Sequence, residues 1–208
     1  ISITVNDVVP TIDYTVNDLS LVNNTASNDL PLTPTVTGPG EIISWTISPS
    51  APAGLTFNTA TGELSGIPTT LLPRSPFIIT GTNSGGTTSV EINITVVDEV
   101  PAISYQPDEL TLSNNTVSSD LPLEAILTGS GEMVSWVITP SMPDGLSFDT
   151  ATGTISGTPT QLLDRTEFTV TATNTGGSAT TYINITINDE IPIIVYSPDD
   201  LTMVNNTV

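Results

Sequence analysis

The sequence predicts an all-β chain made of tandem copies of one β-sandwich module, and three observations carry this prediction. Landmark residues return at a constant spacing of 91 residues, as in Trp45 and Trp136 or Arg74 and Arg165. Apolar and polar residues alternate with a period of two, which is the pattern of half-buried strands. Gly, Asn and Pro turn signals interrupt this alternation at short intervals. These features predict about seven strands per copy, the number found in an immunoglobulin-like sandwich.

The same spacing predicts the domain boundaries. Residues 8–98 and 99–189 are expected to be two complete copies. Residues 1–7 match the final strand of a preceding copy, and residues 190–208 match the start of a third. Near-identical modules in series usually build length or multivalency rather than a single active site. We therefore expect an elongated array, cut from a longer polypeptide whose signal and anchor lie outside this chain.

Each copy is expected to end in a long hairpin. In the second copy Phe168, Val170 and Ala172 are predicted to face the core, followed by an Asn-Thr-Gly-Gly turn and a second strand with Ile183 and Ile185 inward. Residues 42–48 and 133–139 are predicted to be strands that carry the tryptophans. Further predicted strands cover 30–36 and 121–127, with Pro31 and Pro122 at strand starts or sheet edges. A short turn is predicted between Asn58 and Gly62, and between Asp149 and Gly153 in the next copy.

The charge balance excludes several partners. The chain has 22 acidic residues, two Arg and no Lys or His, for a net charge of −20. Such a charge repels nucleic-acid phosphates and anionic lipid headgroups, so neither is an expected partner. No stretch of the sequence has the length of apolar residues that a membrane span requires. Charged residues are only 12% of the chain, which argues against a disordered tail and for ordered modules.

The residue inventory also argues against an enzyme. Without His or Cys, the familiar Ser and Cys nucleophile arrangements lose their base or their nucleophile. Without Lys, Schiff-base chemistry and a Lys–Asn crosslink are excluded. The acidic pair Asp98 and Glu99 lies on a predicted linker with no evident cleft for glycoside hydrolysis.

Several motifs resemble one known family. Residues 54–69 and 145–160 share Gly-Leu-X-Phe, Thr-Ala-Thr-Gly and Ser-Gly-X-Pro-Thr in the same order. Residues 168–174 (Phe-Thr-Val-Thr-Ala-Thr-Asn), followed by Gly-Gly, complete the pattern. Together they resemble the putative-Ig repeats of microbial surface proteins, which are relatives of cadherin-like and dystroglycan-type domains. The resemblance implies β-sandwiches in long extracellular, cell-surface arrays that serve as a stalk, a fibre or an adhesin.

The resemblance also raises the possibility of calcium between modules. The linkers at 6–10, 97–101 and 188–192 and the Leu-Asp-Arg at 163–165 resemble the calcium motifs of cadherin-like domains. The candidate ligands are Asp7, Asp98, Glu99, Asp164, Asp189 and Glu190. Thr166, Pro73, Asn83 and Asn174 depart from those motifs, and Ca²⁺ requires six to eight oxygens. We favour the alternative that the linker acids form a solvated hinge.

The remaining conspicuous residues have structural interpretations. Arg74 and Arg165 are expected to pair with a carboxylate or loop carbonyls of their own module, with Glu41, Glu132 or a linker acid as partner. Trp45 and Trp136 are expected in the core rather than on a sugar-binding surface. Three tyrosines follow the linker prolines and are expected to pack across the junction; these are Tyr14, Tyr105 and Tyr196.

Five Asn-X-Thr sequons recur in register with the repeat and are candidates for glycosylation in a secreted protein. They are Asn23, Asn93, Asn114, Asn184 and Asn205. Asn93 and Asn184 are predicted on the outward side of their strand. The alternative is that Asn and Thr are simply abundant in this chain.

Two functions remain open from the sequence. The first is a structural repeat of a surface stalk or filament, whose partners are adjacent copies in cis or in a homopolymer. The polymer form would complete a partial module with a strand from a neighbour. The second is an adhesin module that binds a glycan or a protein through its loops, with Ca²⁺ as a candidate stiffening ion. The near-identical loops of the two copies favour the structural role.

Overall fold

The computed structural model describes residues 1–129 and 131–194. Every regular element among them is a β-strand, which confirms the all-β prediction. Within these ranges no helix is long and apolar enough to cross a membrane.

The first copy contains eight strands, one more than the sequence suggested. They are β1 (Thr11–Tyr14), β2 (Asp18–Val22), β3 (Pro34–Thr37), β4 (Ser44–Ser48), β5 (Leu55–Phe57), β6 (Leu64–Gly66), β7 (Leu72–Asn83) and β8 (Gly86–Val97). One sheet has the order β2-β8-β7-β4, and two smaller sheets pair β1 with β3 and β5 with β6. The segment from β1 to β2 thus leaves one sheet and joins another, so two short strands form where the sequence pattern showed no separate signal.

The pairing of β2 with β8 closes one side of the larger sheet. These strands run parallel, with Leu19 opposite Ile94 and Asp18 opposite Asn93. The β7–β8 hairpin is antiparallel and ends with Asn83 opposite Gly86. Since β2 lies near the start of the copy and β8 ends it, segments from both ends of the copy lie side by side.

The core follows the predicted alternation. Phe77, Ile79, Ile92 and Ile94 from the hairpin are at most 3% exposed, and Trp45 on β4 is 4% exposed. Leu19 and Leu21 from β2, Tyr14 from β1 and Leu64 from β6 join the same cluster. Burial of this apolar surface is the main stabilising contribution to a module of this size.

The second copy repeats the arrangement. Its strands are β9 (Ala102–Ser104), β10 (Glu109–Ser113), β11 (Ile126–Thr128), β12 (Ser135–Thr139), β13 (Leu146–Phe148), β14 (Ile155–Gly157), β15 (Leu163–Asn174) and β16 (Gly177–Asn188). The strand orders are β10-β16-β15-β12, β11-β9 and β13-β14. Phe168, Val170 and Ala172 are buried, as are Ile183 and Ile185, which confirms the predicted inward set.

The strands predicted at 30–36 and 121–127 are shorter than expected. Regular pairing begins only at Pro34 and Ile126, and Leu32 forms a single bridge with Leu64. The Leu30–Pro31 and Leu121–Pro122 peptides are cis. A proline donates no hydrogen bond to a neighbouring strand, so the ladder does not extend through Pro31 or Pro122.

Residues 1–7 form no strand here. Ile1, Ile3 and Val5 are 82% exposed or more, whereas the equivalent Ile92, Ile94 and Val96 of β8 are at most 2% exposed. The assignment of residues 1–7 to a preceding copy stays a prediction. Most of the predicted start of a third copy, from residue 195 onward, lies outside the described residues.

Residues group by spatial proximity into two compact units. The first contains Ile1–Ile103, Ile126–Val137 and Thr171–Thr180, and the second contains Ser104–Ala125, Ile138–Val170 and the residues from Thr181 onward. These units do not coincide with the sequence copies, so the boundaries at 8–98 and 99–189 also stay predictions.

Candidate functional site

The turn of the β7–β8 hairpin is built around one buried amide. Asn83 is 4% exposed, and its Oδ1 accepts hydrogen bonds from Gly85 N at 2.9 Å and Gly86 N at 3.2 Å. Its Nδ2 donates to the Val8 carbonyl at 3.0 Å. One side chain therefore fixes the turn and holds the chain segment that enters the module.

The neighbouring residue makes a second attachment to that segment. Asp7 N donates to Ser84 Oγ at 2.9 Å, and Ser84 Oγ donates to Asp7 Oδ2 at 2.7 Å. A hydroxyl suits this position because it accepts and donates at the same time. The bond to the carboxylate is charge-assisted and so stronger than a neutral one.

The second copy has the same constellation. Asp98 N donates to Thr175 Oγ1 at 2.9 Å, and Thr175 Oγ1 donates to Asp98 Oδ2 at 2.6 Å. Asn174 Nδ2 donates to the Glu99 carbonyl at 2.7 Å, and Asn174 Oδ1 accepts from Gly176 N and Gly177 N. We call this set the linker clasp; its members are Asp7, Val8, Asn83, Ser84 and Gly85 in one copy and Asp98, Glu99, Asn174, Thr175 and Gly176 in the other.

Glycine is required in the clasp because the two segments approach closely. A Cβ built on Gly85 would lie 2.0 Å from the Asp7 carbonyl oxygen, and one on Gly176 would lie 2.0 Å from the Asp98 carbonyl oxygen. Real Cβ atoms do not approach that closely. The two glycines thus allow the linker backbone to approach closely, in addition to allowing the chain to reverse direction.

The clasp corrects the solvated-hinge interpretation at one linker acid, Asp98, whereas Asp7 and Glu99 are exposed. Asp98 is 6% exposed and its carboxylate accepts the Thr175 hydroxyl, so it is not free in solvent. It directly follows Val97, the last residue of β8. The sequence identified Asn174 as the start of a turn, and both Asn83 and Asn174 as departures from a calcium motif, but it did not indicate their contact with the linker. Their amide nitrogens donate to carbonyls, which an Asp carboxylate in that place would be unable to do.

The other calcium candidates lie in different surroundings. Asp164 and Asp189 line one pocket of about 270 Å³ together with Asn188. Glu190 accepts a hydrogen bond from Thr116 Oγ1. In the described part of the chain no group of three or more acidic side chains gathers in a way that suits a metal ion. Calcium binding stays a prediction.

The two arginines form ion pairs within their own modules, with partners that the sequence did not indicate. Arg74 Nη2 lies 3.0 Å from Asp18 Oδ2, and Arg165 Nε lies 2.8 Å from Glu109 Oε1. The expected partners Glu41, Glu132 and the linker acids were wrong. Asp18 and Glu109 begin β2 and β10, whose placement parallel to the last strand of each copy is not evident from residue patterns.

Tyr14 and Tyr105 pack inside their modules and not across a junction, which corrects the expectation from sequence. Both are 3% exposed, and their hydroxyls donate to the carbonyls of Gly62 and Gly153. Burial raises the pKa of Tyr14, and it raises the pKa of Tyr105 to about 12. The pattern pointed to a junction because the tyrosines follow the linker prolines, but β1 carries Tyr14 into the core. Tyr196 lies outside the described residues.

The tryptophans and the short turns agree with the predictions. Trp45 and Trp136 are each 4% exposed, as expected for core residues. Asn58 Oδ1 accepts hydrogen bonds from Ala60 N and Thr61 N. In the second copy Asp149 Oδ1 accepts from Ala151 N, and that bond lowers the pKa of Asp149. Gly62 and Gly153 both have φ +75°, the left-handed conformation that the turn requires.

The sequons are half-buried. Asn93 and Asn184 lie on β8 and β16 between buried neighbours and face away from the core. Asn23 and Asn114 follow β2 and β10. The Oδ1 atoms of Asn23, Asn114 and Asn184 are buried without a hydrogen-bond partner among the described residues. Asn205 lies outside these residues, and glycosylation stays a prediction.

Comparison with known proteins gives a family match to both copies. The model of the family described as “Putative Ig domain” matches residues 8–97 and 100–188. A Staphylococcus aureus (strain MRSA252) protein named Serine-rich adhesin for platelets is 29% identical over 169 residues, which is 80% of this chain and 12% of that protein. The protein of the same name from strain MSSA476 gives the same identity over 7% of its length. This chain thus spans 12% or less of these relatives.

The solved structures that match this chain are distant in sequence. Extracellular domains 3–5 of Drosophila OTK are 16% identical, with a TM-score of 0.46 over 86% of this chain and 59% of that one. Human protocadherin-24 EC1-2 is 12% identical, with a TM-score of 0.37 over 91% of this chain and 100% of that one. The I-band fragment I67–I69 of titin is 17% identical, with a TM-score of 0.39 over 86% and 65%.

Proposed function

This chain belongs to the “Putative Ig domain” family and is extracellular, at the cell surface, as its adhesin relatives are, and we propose that it is a structural repeat of a surface stalk or filament. In this proposal the linker clasp attaches each linker to the hairpin turn of the module that follows. The role is mechanical and not catalytic.

The observation that best supports this structural role is the position of Asp98. It follows the last residue of β8 without an intervening residue, and its amide and carboxylate are both bonded to Thr175. Val97 is fixed by strand pairing and Asp98 is fixed by the clasp, so the backbone between them has little conformational freedom. A flexible linker requires residues that are free to change conformation. No such residue lies between the end of β8 and Asp98.

The recurrence of the clasp supports the same proposal. Asp7 with Ser84 and Asp98 with Thr175 make equivalent bonds at similar distances. Repeat proteins owe much of their stability to terms that recur with every repeat. A device present in both copies would act at every junction of a longer array, either within one polypeptide or between copies in a homopolymer.

A second candidate is an adhesin module. It is favoured by the name of the S. aureus relatives, which describes an adhesin for platelets. For this chain the corresponding role would be binding of a protein or a glycan at the cell surface. Glycans attached at the sequons are a further proposal that leaves either role possible.

The structural role is tested by NMR relaxation of the 208-residue chain. The informative variant is Thr175→Val, which keeps the shape of the side chain and removes both hydrogen bonds between residue 175 and Asp98. The matched control is Thr180→Val on an exposed position of β16. We expect both copies of the unaltered chain and of the control to tumble with the long rotational correlation time of one 208-residue body, and both copies of Thr175→Val to show the shorter time of modules that tumble separately. Independent tumbling in the unaltered chain would contradict the structural role.

A further inference from the structure

The first copy carries a pocket that the clasp and the core do not explain. It has a volume of about 460 Å³ and lies beside β3, β4 and the turn between β5 and β6. Pro34, Val36, Ile42 and Trp45 supply apolar surface, and Glu41 and Glu63 supply carboxylates. Pockets for small ligands and side chains commonly have volumes of roughly 300–1,000 Å³ and combine apolar walls with a few polar groups.

The two carboxylates of this pocket have no cation to pair with inside the protein. The whole chain contains two Arg and no Lys or His. Arg74 is bonded to Asp18 and Arg165 to Glu109. Glu63 is half-buried at the pocket, while Glu41 is exposed at its edge. A positive charge at this place would have to come from another molecule.

We propose that this pocket binds an arginine or lysine side chain from a basic segment of a partner protein. Such side chains bury an aliphatic stem along apolar surface and keep a cationic head at carboxylates. That chemistry matches walls of Pro34, Val36 and Ile42 with the carboxylates of Glu41 and Glu63 in the same lining. The net charge of −20 also attracts a basic partner over a distance and repels an acidic one.

The two copies differ at the pocket although they agree in the clasp. The equivalent positions carry different residues, as in Thr33 and Glu124, Pro34 and Ala125, or Glu63 and Thr154. The second copy therefore places its carboxylates differently around an equivalent tryptophan. We therefore expect the basic side chain to bind the first copy in preference to the second, since the side chains around a pocket determine which partner it accepts.

The probe is the peptide acetyl-Gly-Arg-Gly-amide, titrated into the full chain and followed by NMR. The neutral control peptide carries citrulline in place of arginine, which keeps the shape and removes the charge. We expect a saturable shift of the Trp45 indole signal with the arginine peptide and little shift with the citrulline peptide.

Two double variants separate local recognition from net charge. Glu41→Gln with Glu63→Gln should weaken binding about fivefold to tenfold, because partly exposed charge pairs contribute modestly. Glu91→Gln with Glu167→Gln removes the same charge from exposed strand positions and should change binding less than about twofold. Retained dispersion of the NMR spectrum shows that each variant is folded.

Three results would overturn the proposal. They are the absence of a saturable Trp45 shift, equal binding of the citrulline peptide, and equal weakening by the two double variants. The last would show attraction to overall charge and not to a site. The proposal is independent of the mechanical role, since Glu41 and Glu63 make no clasp bonds and Thr175→Val leaves the pocket residues unchanged.

Discussion

Asp98 and Thr175 are 77 residues apart in the chain and exchange two hydrogen bonds. The Asp98 amide donates to Thr175 Oγ1 at 2.9 Å, and the same hydroxyl donates to Asp98 Oδ2 at 2.6 Å. Asp7 and Ser84 repeat the relationship in the first copy. Asp7 and Asp98 are therefore each bonded to the hairpin turn that ends the copy following them in the sequence.

Removal of the hydroxyl should destabilise the second copy. Thr175→Val leaves the Asp98 amide and a buried carboxylate without their partner, at a cost of about 1–3 kcal/mol in the free energy of unfolding. Thr175→Ser should retain most of the stability, because Ser84 makes the same bonds in the first copy. Urea unfolding followed by tryptophan fluorescence measures both, with Thr180→Val as control. Equal stability of the Val and Ser variants would contradict the assigned role.

Substitution of the clasp glycine should destabilise the protein by a steric clash and not by loss of a hydrogen bond. A methyl group on Gly176 would lie 2.0 Å from the Asp98 carbonyl oxygen, so the linker or the turn must move. We expect Gly176→Ala to lower the free energy of unfolding by about 1–3 kcal/mol, and Gly85→Ala to do the same in the first copy. Unchanged unfolding curves would show that the close approach is absent in solution.

The buried tyrosines predict a loss of stability at high pH. A raised pKa in the folded state means that the neutral phenol is favoured there, so this contribution is complete below the unfolded pKa of about 10. It declines as the pH rises from about 10 towards the folded pKa of Tyr105, about 12. Tyr14→Phe with Tyr105→Phe should flatten the decline in unfolding free energy across this range. An unchanged slope would contradict burial of the two phenols.

The arginine ion pairs should contribute little. All four side chains of the pairs Arg74–Asp18 and Arg165–Glu109 are more than half exposed, and exposed pairs contribute about 0–1 kcal/mol. Arg165→Ala should therefore lower stability by less than about 1 kcal/mol, an effect that added salt reduces. A larger loss that persists in high salt would indicate a role beyond the ion pair.

Removal of divalent cations should leave the clasp intact. The Asp98 carboxylate already accepts the Thr175 hydroxyl, so its retention needs no metal. We expect the same melting temperature in EDTA and in millimolar CaCl₂ by differential scanning calorimetry. A rise of several degrees with Ca²⁺ that Asp164→Asn with Asp189→Asn abolishes would instead establish a metal site.

Local patterns predicted the parts of the fold that depend on neighbours in the chain. Alternation in the long hairpins identified the inward residues, such as Phe168 and Ile183, and Asn58 with Gly62 identified a short turn. The strands Thr11–Tyr14 and Asp18–Val22 were not identified. They are short and change sheets, so neither has enough alternating positions to give a clear signal.

The candidate site could be predicted only in pieces. The sequence identified the linker acids and the Asn-X-Gly-Gly turn, but it did not bring Asp98 to Thr175. The pairs Arg74–Asp18 and Tyr14–Gly62 were missed for the same reason. Each joins residues 48 or more positions apart, and periodicity reports which face a side chain takes, not which distant segment lies opposite.

Hydrogen exchange of the Asp98 amide tests the central claim most directly. If the linker is held by the clasp, this amide exchanges more slowly than an unstructured peptide amide in the 208-residue chain, and in Thr180→Val. It exchanges at the unprotected rate in Thr175→Val. Exchange of the Asp98 amide at the unprotected rate in the unaltered chain would contradict the clasp and the mechanical role built on it.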